Sequence, residues 1–157
     1  MSKTTRATQA LHKAGAAFEV LTYDYQSGAE RIGLQAAAAI GEPPSRVLKT
    51  LMVLVDGKPA CCVVPSDGEL SMKRVAAAFG GKAATMMPPA EAEKATGYHV
   101  GGISPFGAKK RLPVAIEAAA LAEPYVIINA GQRGVMVRLS PAEAVRVLEA
   151  VTEPLLA

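Results

Sequence analysis

The chain has 157 residues, 50% hydrophobic and 20% charged, with 17 Lys+Arg against 14 Asp+Glu. That length suits one domain, since compact units usually hold about 100–150 residues, and such a domain buries about 68–70% of its unfolded surface without needing a disulfide or metal staple. High apolar content with a net charge of only +3 excludes intrinsic disorder, and Asp56-Gly57, Glu117 and Glu123-Pro124 cut the longest apolar stretches well short of a membrane span.

The polar start Met1-Ser2-Lys3-Thr4-Thr5-Arg6 leads into no apolar signal core, and two adjacent cysteines, Cys61 and Cys62, cannot build a disulfide framework. A cytoplasmic protein with no membrane partner is the expectation. Residues 1–111 hold 14 Lys+Arg and 9 Asp+Glu, whereas residues 112–157 hold 3 and 5, so a basic face toward an anionic partner is weakly indicated. Three Phe, four Tyr and no Trp argue against an aromatic platform for single-stranded nucleic acid.

Ala7, Ala10, Leu11 and Ala14 share a helical spacing that predicts a helix over 5–14, stopped by Gly15. Residues 18–23 alternate as a strand, and Leu34 to Ile40 reads as an Ala-rich helix ended by Gly41, before Pro43-Pro44. Leu51 to Val55 is the strongest strand signal. Asp56-Gly57 supplies the positive backbone angles of a tight hairpin, and Pro59 to Val64 returns. Ser71 caps a helix running to Phe79, Ala83 to Met86 is a short strand, and Pro89 opens a helix reaching about Thr96.

Gly97 to Arg111 carries four glycines and no periodicity, which makes it a loop. Further strands are read at 114–116, 125–128 and 135–139, the last two joined through the turn Ala130-Gly131-Gln132-Arg133-Gly134. Ser140, Pro141 and Glu143 mark a final helix with a capping box, its apolar face running through Ala144, Leu148 and Val151. Two hairpins among mixed elements favour α+β: one domain over 1–157, with a mixed, mostly antiparallel sheet or partial barrel surrounded by helices.

Familiar catalytic sets are missing. His12 and His99 are isolated and show no metal-ligand spacing, so no metal or cofactor is implied. Cys61 and Cys62 alternate across a strand as small apolar residues, with no histidine beside them in sequence to activate a thiol. The loop from Gly102 only approaches a phosphate-binding P-loop: Ala108 stands where Lys is required, and Pro105 removes an amide. What remains is bare main chain at Gly101 and Gly102 whose amides could meet an oxyanion or phosphate. Lys49 is the other anomaly, a cation at the edge of an apolar central strand, costly to bury unless an anion or acceptor meets it. Lys109, Lys110 and Arg111 form a basic cluster suited to phosphates.

Together, Phe18 to Tyr23, Val47-Leu48-Lys49-Thr50-Leu51, residues 96–105 (Thr96-Gly97-Tyr98-His99-Val100-Gly101-Gly102-Ile103-Ser104-Pro105), Gly107 to Pro113 and the turn Gly131-Gln132-Arg133-Gly134 resemble the YbaK family of trans-editing aminoacyl-tRNA deacylases. These are Cys-tRNA(Pro) deacylases related to the editing insertion of bacterial prolyl-tRNA synthetase, and the likeness runs over nearly the whole chain. The resemblance implies hydrolysis of mischarged aminoacyl-tRNA without a cofactor or protein nucleophile. Lys49, Gly101 and Gly102 then serve catalysis, and Tyr23, Ile32, Thr50, Ser104 and Asn129 bind substrate. Lys109, Lys110 and Arg111 would position the tRNA acceptor end. Cysteine's own thiol could attack its carbonyl, and association with prolyl-tRNA synthetase is a further expectation.

Two departures bear on the preferred amino acid: Asn129 stands where Cys-specific members resemble Ser-Gly-Gly, and Ile32 where they often carry an aromatic. A deacylase for another small aminoacyl group, Ala or Ser, and a non-catalytic module binding tRNA or a synthetase are the alternatives.

Overall fold

A computed structural model describes residues 4–25 and 32–157. Helix α1 (Arg6–Lys13) begins at Thr5, whose hydroxyl accepts from the Thr8 amide at 3.1 Å while the Thr8 hydroxyl accepts from the Thr5 amide at 2.8 Å. This reciprocal cap satisfies donors that a helix start leaves orphaned, and the buried Ala7 and Leu11 hold α1 to the core.

Strands β1 (Glu19–Thr22), β2 (Val47–Val55), β3 (Lys58–Pro65), β4 (Ala84–Met86), β5 (Val114–Glu117), β6 (Val126–Gln132), β7 (Val135–Leu139) and β8 (Val151–Glu153) form one sheet. Its order is β1-β7-β6-β2-β3-β5-β8, with β4 also beside β2. β1–β7, β2–β3, β2–β4 and β6–β7 pair antiparallel, while β2–β6, β3–β5 and β5–β8 pair parallel. Helices α2 (Ile32–Ile40), α3 (Met72–Ala78), α4 (Pro89–Thr96) and α5 (Pro141–Leu148) surround it. The fold is α+β with a mixed, mostly antiparallel sheet, as the sequence predicts. At the β2–β3 hairpin, Asp56 and Gly57 take φ of +50° and +79°, the left-handed pair of the tight turn.

Two local expectations are corrected. The Ser140 hydroxyl does accept from the Glu143 amide at 3.1 Å, but the Glu143 carboxylate turns to the Arg146 guanidinium at 2.6 Å instead of closing the capping box. Val151 is not on the final helix. Glu149 (φ +50°) reverses the chain, the Ala150 amide closes on the Val145 carbonyl at 3.1 Å, and Val151 opens β8 against β5.

The sheet separates two cores. Met52, Cys61, Val63 and Phe106 pack with Ala7 and Leu11 of α1 on one side, whereas Val53, Cys62, Val64 and Val75 of α3 pack on the other. The two cysteines thus face opposite ways, as strand alternation requires. A smaller cluster joins Ala36 and Ala37 of α2 to Val47, Ile127 and Met136. Among the described residues no helix is long and apolar enough to cross a membrane.

One irregularity positions everything that follows. β2 shares a single edge between two strands: β6 pairs with Val47-Leu48 and β4 with Val53 to Val55. Among the described residues, the stretch Lys49–Leu51 has no strand partner on that side.

Candidate functional site

A cavity of about 330 Å³ opens in that break. Lys49, Thr50, Leu51 and Met52 of β2 form its floor. Tyr23 beyond β1, Ala36 of α2, Met86 and Met87, Ala92 of α4, loop residues Val100, Gly101 and Ile103, and Asn129 with Met136 of the β6–β7 hairpin contribute walls. Lys49 is half-buried and is the only charged side chain among the described lining residues. The Met87 amide reaches the Met52 carbonyl at 3.1 Å, so Met52 directs its backbone toward this edge. Thr50, two residues earlier on the same strand, directs its own N–H and C=O the same way, by strand alternation.

Two hydroxyls in this cavity, Tyr23 Oη and Thr50 Oγ1, are buried with no hydrogen-bond partner among the described residues. A buried polar atom left unsatisfied costs about 1–3 kcal/mol, so two of them in one cavity mark it out from the rest of the fold. Burial pushes the Tyr23 phenol above its ordinary range, and nearby Tyr25 adds to the effect.

The glycine loop is held against the β6–β7 hairpin main chain to main chain. A Cβ on Gly102 would lie 2.9 Å from the Arg133 nitrogen and 3.1 Å from the Gln132 carbonyl carbon, which only glycine avoids. Asn129 staples the two segments: its Nδ2 donates to the Gly101 carbonyl at 3.1 Å and its Oδ1 accepts from the Gly131 amide at 2.8 Å. Arg133 Nε adds a bond to the Val100 carbonyl at 2.8 Å. Gly101 itself takes φ +91° and backs onto Tyr25, whose ring lies 5.3 Å beneath the Arg133 guanidinium.

These bonds decide which amides are open. The Gly102 N–H donates to the His99 carbonyl at 2.8 Å, closing a turn, and the Val100 N–H donates to Glu93 Oε2 at 2.8 Å. Gly102 therefore packs behind the cavity with its amide already engaged. The amides of Gly101 and Ile103 have no acceptor among the described residues.

Tyr23, Lys49, Thr50, Gly101 and Asn129 thus come together. Others do not join them. Ser104 is buried on the far side of the loop, where its hydroxyl accepts from the Phe106 amide at 3.1 Å. With Lys110 and Arg111 it lines a separate cavity, and Lys109 is exposed and lines neither. Ile32 opens α2, but its side chain lies outside the described residues.

His99 is exposed and sits 3.5 Å from Glu93, and His12 is exposed with its ring edge on Phe18. Burial raises both cysteine thiols, Cys62 to about 12, so neither is a nucleophile near neutral pH. Sequence reasoning misses Met52, Met86, Met87, Met136 and Tyr25. The signal that could find two of the methionines is the Met86-Met87 pair just before Pro88-Pro89, and for Tyr25 it is the spacing from Tyr23.

The sequence profile of the aminoacyl-tRNA editing domain family matches residues 30–147. The chain belongs to this family. A relative from Enterococcus faecalis, named as a candidate Cys-tRNA(Pro)/Cys-tRNA(Cys) deacylase, EbsC, is 34% identical over 122 residues, which cover 76% of this chain and 74% of that protein. A proline--tRNA ligase of Acidithiobacillus ferrooxidans is 30% identical over 87 residues, 55% of this chain but only 15% of the ligase. The same fold occurs in a solved structure described as a candidate trans-editing enzyme for prolyl tRNA synthetase, with a TM-score of 0.86, 22% identity, and coverage of 100% of this chain and 98% of that one. Within the editing-domain family, the break in β2's edge is where this chain gathers its cation, its two orphan hydroxyls and its open amides.

Proposed function

We propose that this editing domain hydrolyses the ester of mischarged aminoacyl-tRNA, with Cys-tRNA(Pro) as its leading substrate and prolyl-tRNA synthetase as its associate. The observation that carries the reading is a half-buried Lys49 in one cavity with two buried, unpartnered hydroxyls, Tyr23 Oη and Thr50 Oγ1. A cation, hydroxyl donors and bare main chain suit an oxyanion and a phosphate, and an activated ester needs little more than orientation and charge stabilisation. The Lys49 ammonium anchors the terminal phosphate or the carbonyl region. The Gly101 and Ile103 amides donate to the oxygen on which negative charge develops.

Four of the chain's six methionines line the cavity, a soft wall suited to a small apolar or thiol side chain. When the substrate is cysteine, its sulfur attacks its own carbonyl carbon and the ester C–O bond breaks. The thiol proton ends on the departing ribose oxygen, leaving free tRNA and a cyclic thioester. Other aminoacyl groups require water as the nucleophile.

A single-turnover panel of mischarged tRNAs tests the reading. Wild type should deacylate Cys-tRNA(Pro) fastest, and Lys49→Ala should lose about 10²–10³-fold, the usual scale for removing a charge-stabilising group. Alkylating the substrate thiol should abolish the cysteine advantage. Equal rates for wild type and Lys49→Ala would overturn the assignment of Lys49. Tight tRNA binding with no turnover on any member of the panel would make the chain a binding module.

A further inference from the structure

A second cavity, of about 400 Å³, lies across the glycine loop from the first, within the about 300–1,000 Å³ typical of small-molecule sites. Met52 borders both cavities, but loop residues Val100, Gly101 and Ile103 line the first, and 104–108 with 110–112 line the second. The floor of the second is Met52, Cys61 and Val114 of the sheet, and α1 and α5 wall it. Its inner hydroxyls each hold a partner: Ser104 Oγ accepts from the Phe106 amide at 3.1 Å, and Thr96 Oγ1 donates to the Ala92 carbonyl at 2.8 Å. The side chains that line the interior are mainly apolar.

The mouth is different. Lys13, Lys110 and Arg111 stand there, and no carboxylate is among the described lining residues. Arg111 meets Glu149 at 2.7 Å, but both side chains are more than two-thirds exposed, so that pair is weak. Lys13 and Lys110 are exposed and make no ion pair among the described residues. An apolar pit rimmed by cations matches one ligand chemistry. A nucleic-acid backbone would satisfy the cations and leave the pit empty, and a neutral apolar molecule would leave the cations unused.

We propose that this cavity binds a small amphipathic anion, an apolar body in the pit with a single carboxylate, sulfonate or phosphate head among Lys13, Lys110 and Arg111. The site is separate from the Lys49 cavity and does not depend on the editing reaction.

Fluorescence titration of the full chain with 1-anilinonaphthalene-8-sulfonate tests it, with decanoate, decanol and inorganic phosphate as competitors. Saturable one-site binding is expected, with decanoate displacing the probe at least tenfold better than decanol and phosphate failing to displace it. Ala10→Phe, which fills the pit from α1, should weaken the probe tenfold or more. Lys13→Gln/Lys110→Gln changes exposed positions only, which protects against a folding artefact, and should erase the preference for decanoate over decanol. Lys49→Ala should change nothing. The proposal is overturned if neither variant alters binding, if Lys49→Ala abolishes it, or if decanol competes as well as decanoate. It is overturned equally if the lysine double variant loses affinity for tRNA while keeping both the probe and the decanoate preference, which would assign those cations to RNA.

Discussion

Thr50 carries the sharpest trade between stability and function. Its hydroxyl is buried beside the Lys49 cavity with no partner among the described residues, so the protein bears the desolvation cost of an unsatisfied group. Thr50→Val removes the hydroxyl with nearly the same shape. The variant should be more stable than wild type by about 1 kcal/mol in urea unfolding and should lose about tenfold in kcat/KM on its aminoacyl-tRNA substrate. A variant less stable than wild type would mean that Thr50 serves packing. At this scale the sequence is legible where one residue type is anomalous, as Lys49 is among its apolar neighbours. Asn129 is legible as a departure but not as a staple, because its partners, the Gly101 carbonyl and Gly131 amide, meet it only when loop and hairpin pack. Met86 and Met136 read as ordinary strand residues, and only the break in β2's edge turns them into walls.

Elements announced by local chemistry are readable, and those defined by distant pairing are not. Asp56-Gly57 and Ser140-Pro141 carry turn and cap signals within a few residues, so the β2–β3 hairpin and the start of α5 follow directly. The parallel pairs β2–β6, β3–β5 and β5–β8 leave no local signal, and three-residue β8 has too little length to show alternation. Two predictions belong here. Gly102 does not take a left-handed φ, so Gly102→Ala reports the steric cost of pushing a methyl into the hairpin main chain at 2.9 Å. A loss of about 1–3 kcal/mol in urea unfolding is expected, with deacylation reduced alongside it, since the loop must retreat from the cavity. Neutral stability would show that the loop yields freely. The second concerns buried Glu117, where β5 passes into a 3₁₀ turn (Ala118–Ala122): its Oε1 accepts from the Leu155 and Leu156 amides at 2.8 and 3.2 Å, and its Oε2 from the Ala119 amide at 2.9 Å. Glu117→Ala strands those donors and should cost about 3 kcal/mol, with hydrogen exchange at Leu155 and Leu156 accelerating first.

For the molecule as a whole, the two buried cysteines make stability depend on alkaline pH in a direction that can be worked out. Both thiols are raised by burial above their ordinary value of 9.0, Cys62 to about 12 and Cys61 further, with Cys62 nearby adding to the shift at Cys61. Above pH 9 the unfolded chain gives up these protons while the native chain keeps them, so the native state binds more protons and stability falls as pH rises. Below pH 9 both states hold the protons and the contribution is flat. Each thiol supplies a slope approaching about 1.4 kcal/mol per pH unit between its unfolded and folded pKa. Tyr23 and Tyr98, whose phenols burial also raises, steepen the decline beyond pH 10. Urea midpoints measured from about pH 8 to about pH 11 should therefore be level at first and then drop progressively. Cys62→Ala should be less stable at neutral pH, because it opens space in a filled core, yet its decline above pH 9 should be shallower by one thiol's share. The two effects have opposite signs, so wild type and variant must converge as pH rises. Parallel curves would mean that the Cys62 thiol ionises equally in the folded and unfolded chains, and that the sheet does not shield it.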